Sequence, residues 1–178
     1  MSTVSVEGPL HDPARLGEVE HLWFALYEHN RAVANYARLL DDLNPSWDIR
    51  RSWYERLLAL GGALFLASAD SDPIAYAMLH TTRGSDDLGL PGGVVEIVSL
   101  AVGEHARGVG IGSALLDAVR DYAAALSIDT IMVSVMTGND RALTFYTNRG
   151  FCTGEIMLYL KPAPKAGALR RSLASGGT

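Results

Sequence analysis

The sequence predicts an α/β fold in which a central mixed, mostly antiparallel sheet is flanked by helices. Three observations lead there. Near Ala63 the hydrophobic pattern changes from helical spacing to short apolar runs. Two of those runs, Ala63 to Ala69 and Ile74 to Thr82, are separated by Asp70-Ser71-Asp72-Pro73, a hairpin turn signal. After them comes an apolar strand, Val94 to Val102, then the glycine-rich run Arg107 to Gly112, then an amphipathic helix and another apolar strand. Antiparallel hairpins followed by a β–α–β unit make a mixed sheet with helices on its faces.

Thr3 to Glu7 alternates, with Val4 and Val6 on one side, and reads as a first strand. Pro13 opens a helical region in which Leu16, Val19, Leu22, Trp23, Leu26 and Tyr27 recur at helical spacing. A second helical piece is expected from about Ala32 to Leu43, broken by Asn44-Pro45. Ser46 is then expected to cap a third helix that stops at Leu60 before Gly61-Gly62. The stretch Arg83 to Gly93 is a glycine-rich, acidic loop. In the helix predicted over Ser113 to Leu126, the residues Leu115, Leu116, Val119, Ala123 and Leu126 form one apolar face. Ile128 to Met136 is the next strand, and Asn139 or Asp140 caps a short helix with Gly150 at its end. Phe151 to Leu160 is the last predicted strand.

A chain of 178 residues, 48% hydrophobic and 20% charged, fits one globular domain. No apolar run approaches the 18 residues of a membrane span, and Met1 to Leu10 lacks the pattern of a secretory leader. The single cysteine, Cys152, excludes an internal disulfide framework and fits a reducing cytosol, so the expected location is cytoplasmic with no membrane partner. The last 18 residues contain Lys161, Lys165, Arg170 and Arg171 and no acid, a charge of +4. The whole chain carries −5, which leaves −9 on residues 1–160. An acidic body argues against nucleic acid and suits a cationic substrate such as an amine. The expected organisation is one catalytic domain over 1–160 and a basic, disordered tail over 161–178.

The run Arg107-Gly108-Val109-Gly110-Ile111-Gly112, with Ser113 after it, sits between a strand and a helix. Its glycines permit positive φ and close backbone approach. The first N–H groups of the helix have no intrahelical partner and meet the positive end of the helix dipole, so a phosphate or pyrophosphate is the natural occupant. Neither the dinucleotide fingerprint nor the P-loop pattern fits: Ser113 or Leu115 stands where a third glycine belongs, and no Gly-Lys-Ser/Thr follows. What remains is R-x-x-G-x-G, read as Arg107, Gly110 and Gly112.

Two further segments accompany it. Upstream, Val94 to Val102 is an apolar strand with an acid, Glu96, near its start. Downstream, Asn139 to Phe151 reads N-x-x-A-x-x-F-Y-x-x-x-G-F. In this order and spacing, the three segments resemble the GNAT superfamily of acyl-CoA-dependent N-acyltransferases, over about Gly62 to Leu160. The resemblance implies a GNAT-like fold, acetyl-CoA as cosubstrate, and a pyrophosphate held by the loop from Arg107 through Val109 to Ser113. It implies that backbone groups of Leu100, Ala101 and Val102 hold the pantetheine where the strand splays from its neighbour, and that Asn139 also contacts the cofactor.

Acyl transfer to an amine needs a base, because an alkyl ammonium with a pKa of about 10.4 is mostly protonated at neutral pH. A carboxylate within reach, directly or through one water, supplies it. Glu96 interrupts a run of Val and Ile, a local misfit of the kind found at functional sites, and is the candidate base. Tyr146 is the candidate acid: a phenol with an ordinary pKa near 10 holds its proton at pH 7. The resemblance assigns the tyrosine of the Phe145-Tyr146 pair the same role. Cys152 is expected to pack in the core beside Phe151 rather than to carry an acyl group. The five histidines show no metal spacing, and Trp23, Trp47 and Trp53 read as core. The resemblance implies that helices near the N-terminus and the loop Arg83 to Gly93 set acceptor specificity; Tyr27 and His29 are candidates to line that site, with an ordinary structural role the preferred reading.

The reading is an N-acetyltransferase acting by direct attack of an amine in a ternary complex. The amine, on a small molecule, peptide or protein, is not identified, and the oligomeric state is open, a homodimer included. A non-catalytic acyl-CoA-binding sensor is the alternative, and a nicotinamide oxidoreductase is disfavoured by the missing glycine. An acyl-CoA sensor needs only the loop, whereas this chain also presents Glu96, Asn139 and Tyr146.

Overall fold

A computed structural model of the chain describes residues 4–34, 42–82 and 92–160. Its centre is a five-stranded sheet in sequence order. The strands are β1 (Val4–Leu10), β2 (Ala63–Ala69), β3 (Asp72–Thr82), β4 (Val94–Val102) and β5 (Ile131–Val133). All neighbours are antiparallel except β4 and β5, which are parallel. The β2–β3 hairpin closes where the turn signal put it, with Asp70 and Ser71 both at positive φ, as a primed hairpin turn requires.

A 3₁₀ segment (Pro13–Val19) leads into α1 (Glu20–Val33), and α2 (Leu43–Ala59) follows. These pack on one face of the sheet. Leu16, Trp23, Trp47, Tyr54, Leu57, Leu64, Leu66, Tyr76 and Met78 form that core. On the other face, α3 (Ile111–Ala125) buries Ile111, Leu115, Leu116, Val119 and Ala123 against Phe65, Ala77, Leu79, Val95 and Ile97. The short helix α4 (Asp140–Thr147) adds Tyr146 to this second core.

Several expectations need correction. α2 starts before Asn44-Pro45, not after it: Asp42 caps the helix by accepting from the Asn44 N–H. Proline is tolerated in a first helical turn, where its missing N–H has no partner to lose. Ser46 is therefore a buried residue inside the helix rather than its cap. The helical piece expected over Ala32 to Leu43 falls largely outside the described residues, as does most of the acidic loop from Arg83. α3 begins at Ile111, two residues earlier than predicted. The strand expected over Ile128 to Met136 shrinks to Ile131–Val133, and Phe151 to Leu160 carries no regular structure. The cause is shared: a strand exists only where a neighbour completes its ladder. β5 loses β4 after Val133, and residues 151–160 join no strand ladder among the described residues. Cys152 is exposed, not packed in the core.

One irregularity in β4 matters for the site. The β3–β4 register runs Leu79↔Ile97 and then Met78↔Ser99, so Val98 is an extra residue, a bulge. Before it, Val95 and Ile97 face α3. After it the parity inverts: Leu100 and Val102 pack toward α3, while Ser99 and Ala101 face α1 and α2. A one-residue slip turns every later side chain to the opposite face. The bulge is anchored by α2. The buried Tyr54 hydroxyl donates to Ser99 Oγ at 2.6 Å and lies 3.2 Å from the Tyr76 hydroxyl.

Candidate active site

β4 and β5 pair only over Val95↔Ile131, Glu96↔Met132 and Ile97↔Val133. β4 continues to Val102 without that neighbour. The two parallel strands thus part just after the bulge. The backbone of Leu100, Ala101 and Val102 runs along one side of the opening, beyond the last β4–β5 pair.

Beyond Val102, Gly103 makes a tight contact: its N–H donates to Ile74 O at 2.8 Å. The chain then turns through Arg107 to Gly112 into α3. Arg107 folds back, with Nε donating to Val102 O at 2.9 Å. Gly108 has φ +81° and Gly110 has φ +92°, the left-handed region that glycine enters freely. A Cβ added at either position would meet nothing within 4 Å, so both face open space. Gly110 caps α3 by its carbonyl, which accepts from the Ser113 and Ala114 N–H groups. Among the described residues, none accepts from the N–H groups of Gly108, Val109, Gly110, Ile111 or Gly112. Free N–H groups beside open space at a helix start suit a pyrophosphate. Within the loop the roles differ. Val109 is exposed, and the Ile111 side chain is buried in the core, so only its backbone is available. Gly112 is there for packing: its Cβ would come 3.3 Å from the Phe145 ring.

α4 is set by the same contact. Asn139 caps it, Oδ1 accepting from the Ala142 N–H at 3.1 Å. That leaves the Asn139 amide NH₂ as the group available to a ligand. Tyr146 is 7% exposed and packed edge-on between Phe145 and Phe151, at 5.0 and 5.2 Å between ring centroids. Loss of water around it pushes its pKa up to about 12, so its proton is firmly held at neutral pH. No described residue makes a hydrogen bond to its hydroxyl.

Glu96 lies on the other face of the sheet, since its neighbours Val95 and Ile97 point to α3. It is half-buried and in direct register with His80 on β3 and Met132 on β5. No described residue hydrogen-bonds its carboxylate. His80 is half-buried, and its Nδ1 is buried without a partner, as is Trp23 Nε1. Arg50 stacks over Trp23 and Trp53, at 4.2 and 4.6 Å. The far wall is closed by a backbone contact. A Cβ on Gly138 would fall 2.4 Å from Val33 O, so the segment before α4 lies directly on the C-terminal end of α1. Tyr27 is buried in the first core and His29 is half-buried on α1. Glu96 and Tyr146 do not touch; they belong to opposite faces of the sheet, which meet only where β4 and β5 part.

Two residues escaped the sequence reading. Arg149 ties the cradle to α4: Nη2 donates to Ser113 Oγ, Nη1 donates to Phe145 O at 3.1 Å, and its guanidinium lies 3.9 Å over the Phe145 ring. In the sequence it occupies a variable position of the N-x-x-A-x-x-F-Y-x-x-x-G-F pattern and carries no signal. His80 was equally silent, because its place opposite Glu96 depends on strand register.

A sheet parted between two parallel strands, with a glycine cradle at the helix beyond them, defines an acyl-CoA-dependent transferase fold. The chain belongs to the acetyltransferase (GNAT) family, whose model matches residues 23–151. The match reaches upstream of Gly62, into α1. Acetyl-CoA is accordingly its cosubstrate. No match appears among curated protein sequences. Among solved structures the chain is similar to the aminoglycoside N-acetyltransferase AAC(6')-Iy in complex with CoA, at 17% identity and a TM-score of 0.69, covering 92% of this chain and 97% of that one. It is similar to a GCN5-related N-acetyltransferase from Ralstonia eutropha JMP134, at 17% identity and 0.69, covering 92% and 100%. A ribosomal-protein-alanine N-acetyltransferase from Brucella melitensis biovar Abortus 2308 follows at 14% identity and 0.60, covering 92% and 100%. Identities this low establish a shared fold. No group of His, Cys, Asp and Glu among the described residues is arranged to hold a metal, and no described helix is long and apolar enough to cross a membrane.

Proposed function

We propose that this acetyltransferase acts on nitrogen, moving the acetyl group of acetyl-CoA to a primary amine by direct attack in a ternary complex. The observation that carries the reading is the parting of β4 from β5, with a carboxylate on one face of the sheet and a proton-bearing phenol in the core of the other. All three similar folds are N-acetyltransferases by name, and two of the names give an acceptor, aminoglycosides in one and a ribosomal-protein alanine in the other, which agrees with a small-molecule or peptide amine as acceptor.

The pyrophosphate rests on the N–H groups of Gly108 to Gly112, and Ser113 and Arg107 complete the rim. The Asn139 amide and the backbone of Leu100 to Val102 hold the arm. An N–H along the opening, aimed at the acetyl oxygen, stabilises the charge that builds there. The incoming ammonium gives its first proton to Glu96, directly or through one water. His80, opposite in register, shares that water. The nitrogen lone pair attacks the thioester carbonyl carbon, a C–N bond forms, and the C–S bond breaks. The departing sulfur takes the Tyr146 proton. The nitrogen's second proton restores the phenol through solvent. The products are an acetamide, the free thiol and one released proton.

Residues 1–160 form the catalytic unit in this reading, with a basic tail over 161–178, and the protein works in the cytoplasm without nucleic acid or membrane. The test is an amine panel assayed for free thiol release, with the acetylated product identified by mass. Turnover with at least one primary amine is expected. Tight acetyl-CoA binding with no turnover across small-molecule, peptide and protein amines would make the chain an acyl-CoA sensor instead.

A further inference from the structure

Arg50 on α2 is a half-buried cation that forms an ion pair with no described carboxylate. Its guanidinium lies 4.2 Å from the centre of the Trp23 ring, 4.6 Å from that of Trp53 and 5.6 Å from that of Tyr54. Three rings hold the guanidinium in place, but they supply no counter-charge. Trp23 adds a second unmet group. It is 2% exposed, and its buried Nε1–H has no hydrogen-bond partner among the described residues. A buried donor left without an acceptor is costly and marks a place where something is missing. Guanidinium and indole can only donate, so the missing partner is an acceptor, and beside an unpaired cation it is an anion. The fork of an arginine matches the two oxygens of a carboxylate.

This place adjoins the proposed base. Residues three apart on a regular strand point to opposite faces. The Val98 bulge removes that opposition: Glu96 and Ser99 both turn to the face covered by α1 and α2. Their separation along β4 is about 10 Å at most, at roughly 3.3 Å per residue. Ser99 Oγ accepts from the Tyr54 hydroxyl, and Tyr54 is one of the rings around Arg50. A carboxylate suited to an ammonium and a cation suited to an anion therefore share one face, within the length of a small molecule. A second ammonium, as in a polyamine, would meet Arg50 as a like charge.

We propose that the acceptor is a small amino-carboxylate, with its ammonium at Glu96 and its carboxylate held by the Arg50 guanidinium and the Trp23 Nε1–H. The inference rests on the amine acetylation proposed above and narrows its substrate class. Arg50 is then a specificity-determining residue. The carboxylate it holds takes no part in the bond changes at nitrogen and sulfur.

The wild type is assayed with amino acids of increasing amine-to-carboxylate separation, α- through ω-, each paired with its own carboxamide, and with spermidine as a polycation. For at least one pair, the acid should exceed the carboxamide in kcat/KM by about tenfold or more, chiefly through KM. Spermidine should be poorer than that acid. Arg50→Gln should collapse the acid-to-carboxamide ratio toward one, and Arg50→Lys, which keeps the charge but loses the fork, should retain part of it. A cooperative thermal melt verifies folding of each variant, and the paired comparison in the wild type needs no variant. Carboxamides as good as acids throughout, a ratio untouched by Arg50→Gln, or a preference for spermidine that Arg50→Gln improves each overturns the inference. A second arm is independent of acetyl transfer: the same acids are titrated calorimetrically into the protein saturated with CoA, which has no acetyl group to give. Binding that Arg50→Gln weakens by about tenfold or more supports the inference even where nothing is acetylated. Binding of no acid overturns it, and turnover of other amines would then leave the proposed reaction standing.

Discussion

Two side chains carry the proposed chemistry, and each can be removed with little change of shape. Glu96→Gln keeps the volume and loses the base. Activity should fall steeply near neutrality and recover toward alkaline pH, where free amine is already abundant. A Gln variant whose pH–rate profile overlays the wild type would assign the carboxylate to structure. Tyr146→Phe removes one hydroxyl to which no described residue hydrogen-bonds. The fold should be unharmed and acetyl-CoA binding nearly so, while kcat drops by about 10²–10⁴-fold, the usual range for a lost acid or base. Unchanged turnover would leave Tyr146 as a packed aromatic. The residue types and their motif positions were readable in the chain. Their placement on opposite faces of a parted sheet was not, because it depends on which strands pair and where pairing ends.

At the scale of elements, the loop between β4 and α3 divides its glycines between two tasks. Gly108 and Gly110 take left-handed φ and face open space, whereas Gly112 lets α3 approach Phe145. Gly110→Val should therefore cost only about 1–2 kcal/mol of folding stability, from strain at positive φ. It should nonetheless abolish the rise in melting temperature that acetyl-CoA causes in the wild type, since the added branches fill the cradle. A thermal shift equal to that of the wild type would show that the pyrophosphate binds elsewhere. The glycines themselves were visible as a pattern. The pattern could not say which of them face open space and which a neighbouring helix, since that distinction needs Phe145 of α4 to be in place.

For the whole molecule, the clearest consequence is a limit at high pH. Burial raises the pKa of Tyr146 to about 12, and desolvation raises Tyr54 and Tyr76 as well. The folded state therefore holds these protons more tightly than the unfolded chain, whose tyrosines titrate near 10. Stability from this source is complete below pH about 10 and is lost as pH rises through 12. Tyr146 alone contributes about 2–3 kcal/mol to that loss. Urea midpoints measured between pH 8 and 11.5 should fall, and fall less in Tyr146→Phe. An equal fall in the two proteins would mean that Tyr146 ionises normally in the fold.

The β2–β3 hairpin, the glycine-rich loop before α3 and the family were already present in the linear chain, because period, turn chemistry and short motifs are local properties. Other features came only with tertiary structure. The Val98 bulge inverts the facing of Ser99 to Val102, a change that no alternation in Val94 to Val102 announces. Asp42, rather than Ser46, caps α2, because the helix runs through Asn44-Pro45. The predicted strand over Ile128 to Met136 is cut to three residues, and that over Phe151 to Leu160 is absent, although both are apolar enough. A strand is half of a ladder, and a sequence can state its own propensity but not whether a partner lies alongside.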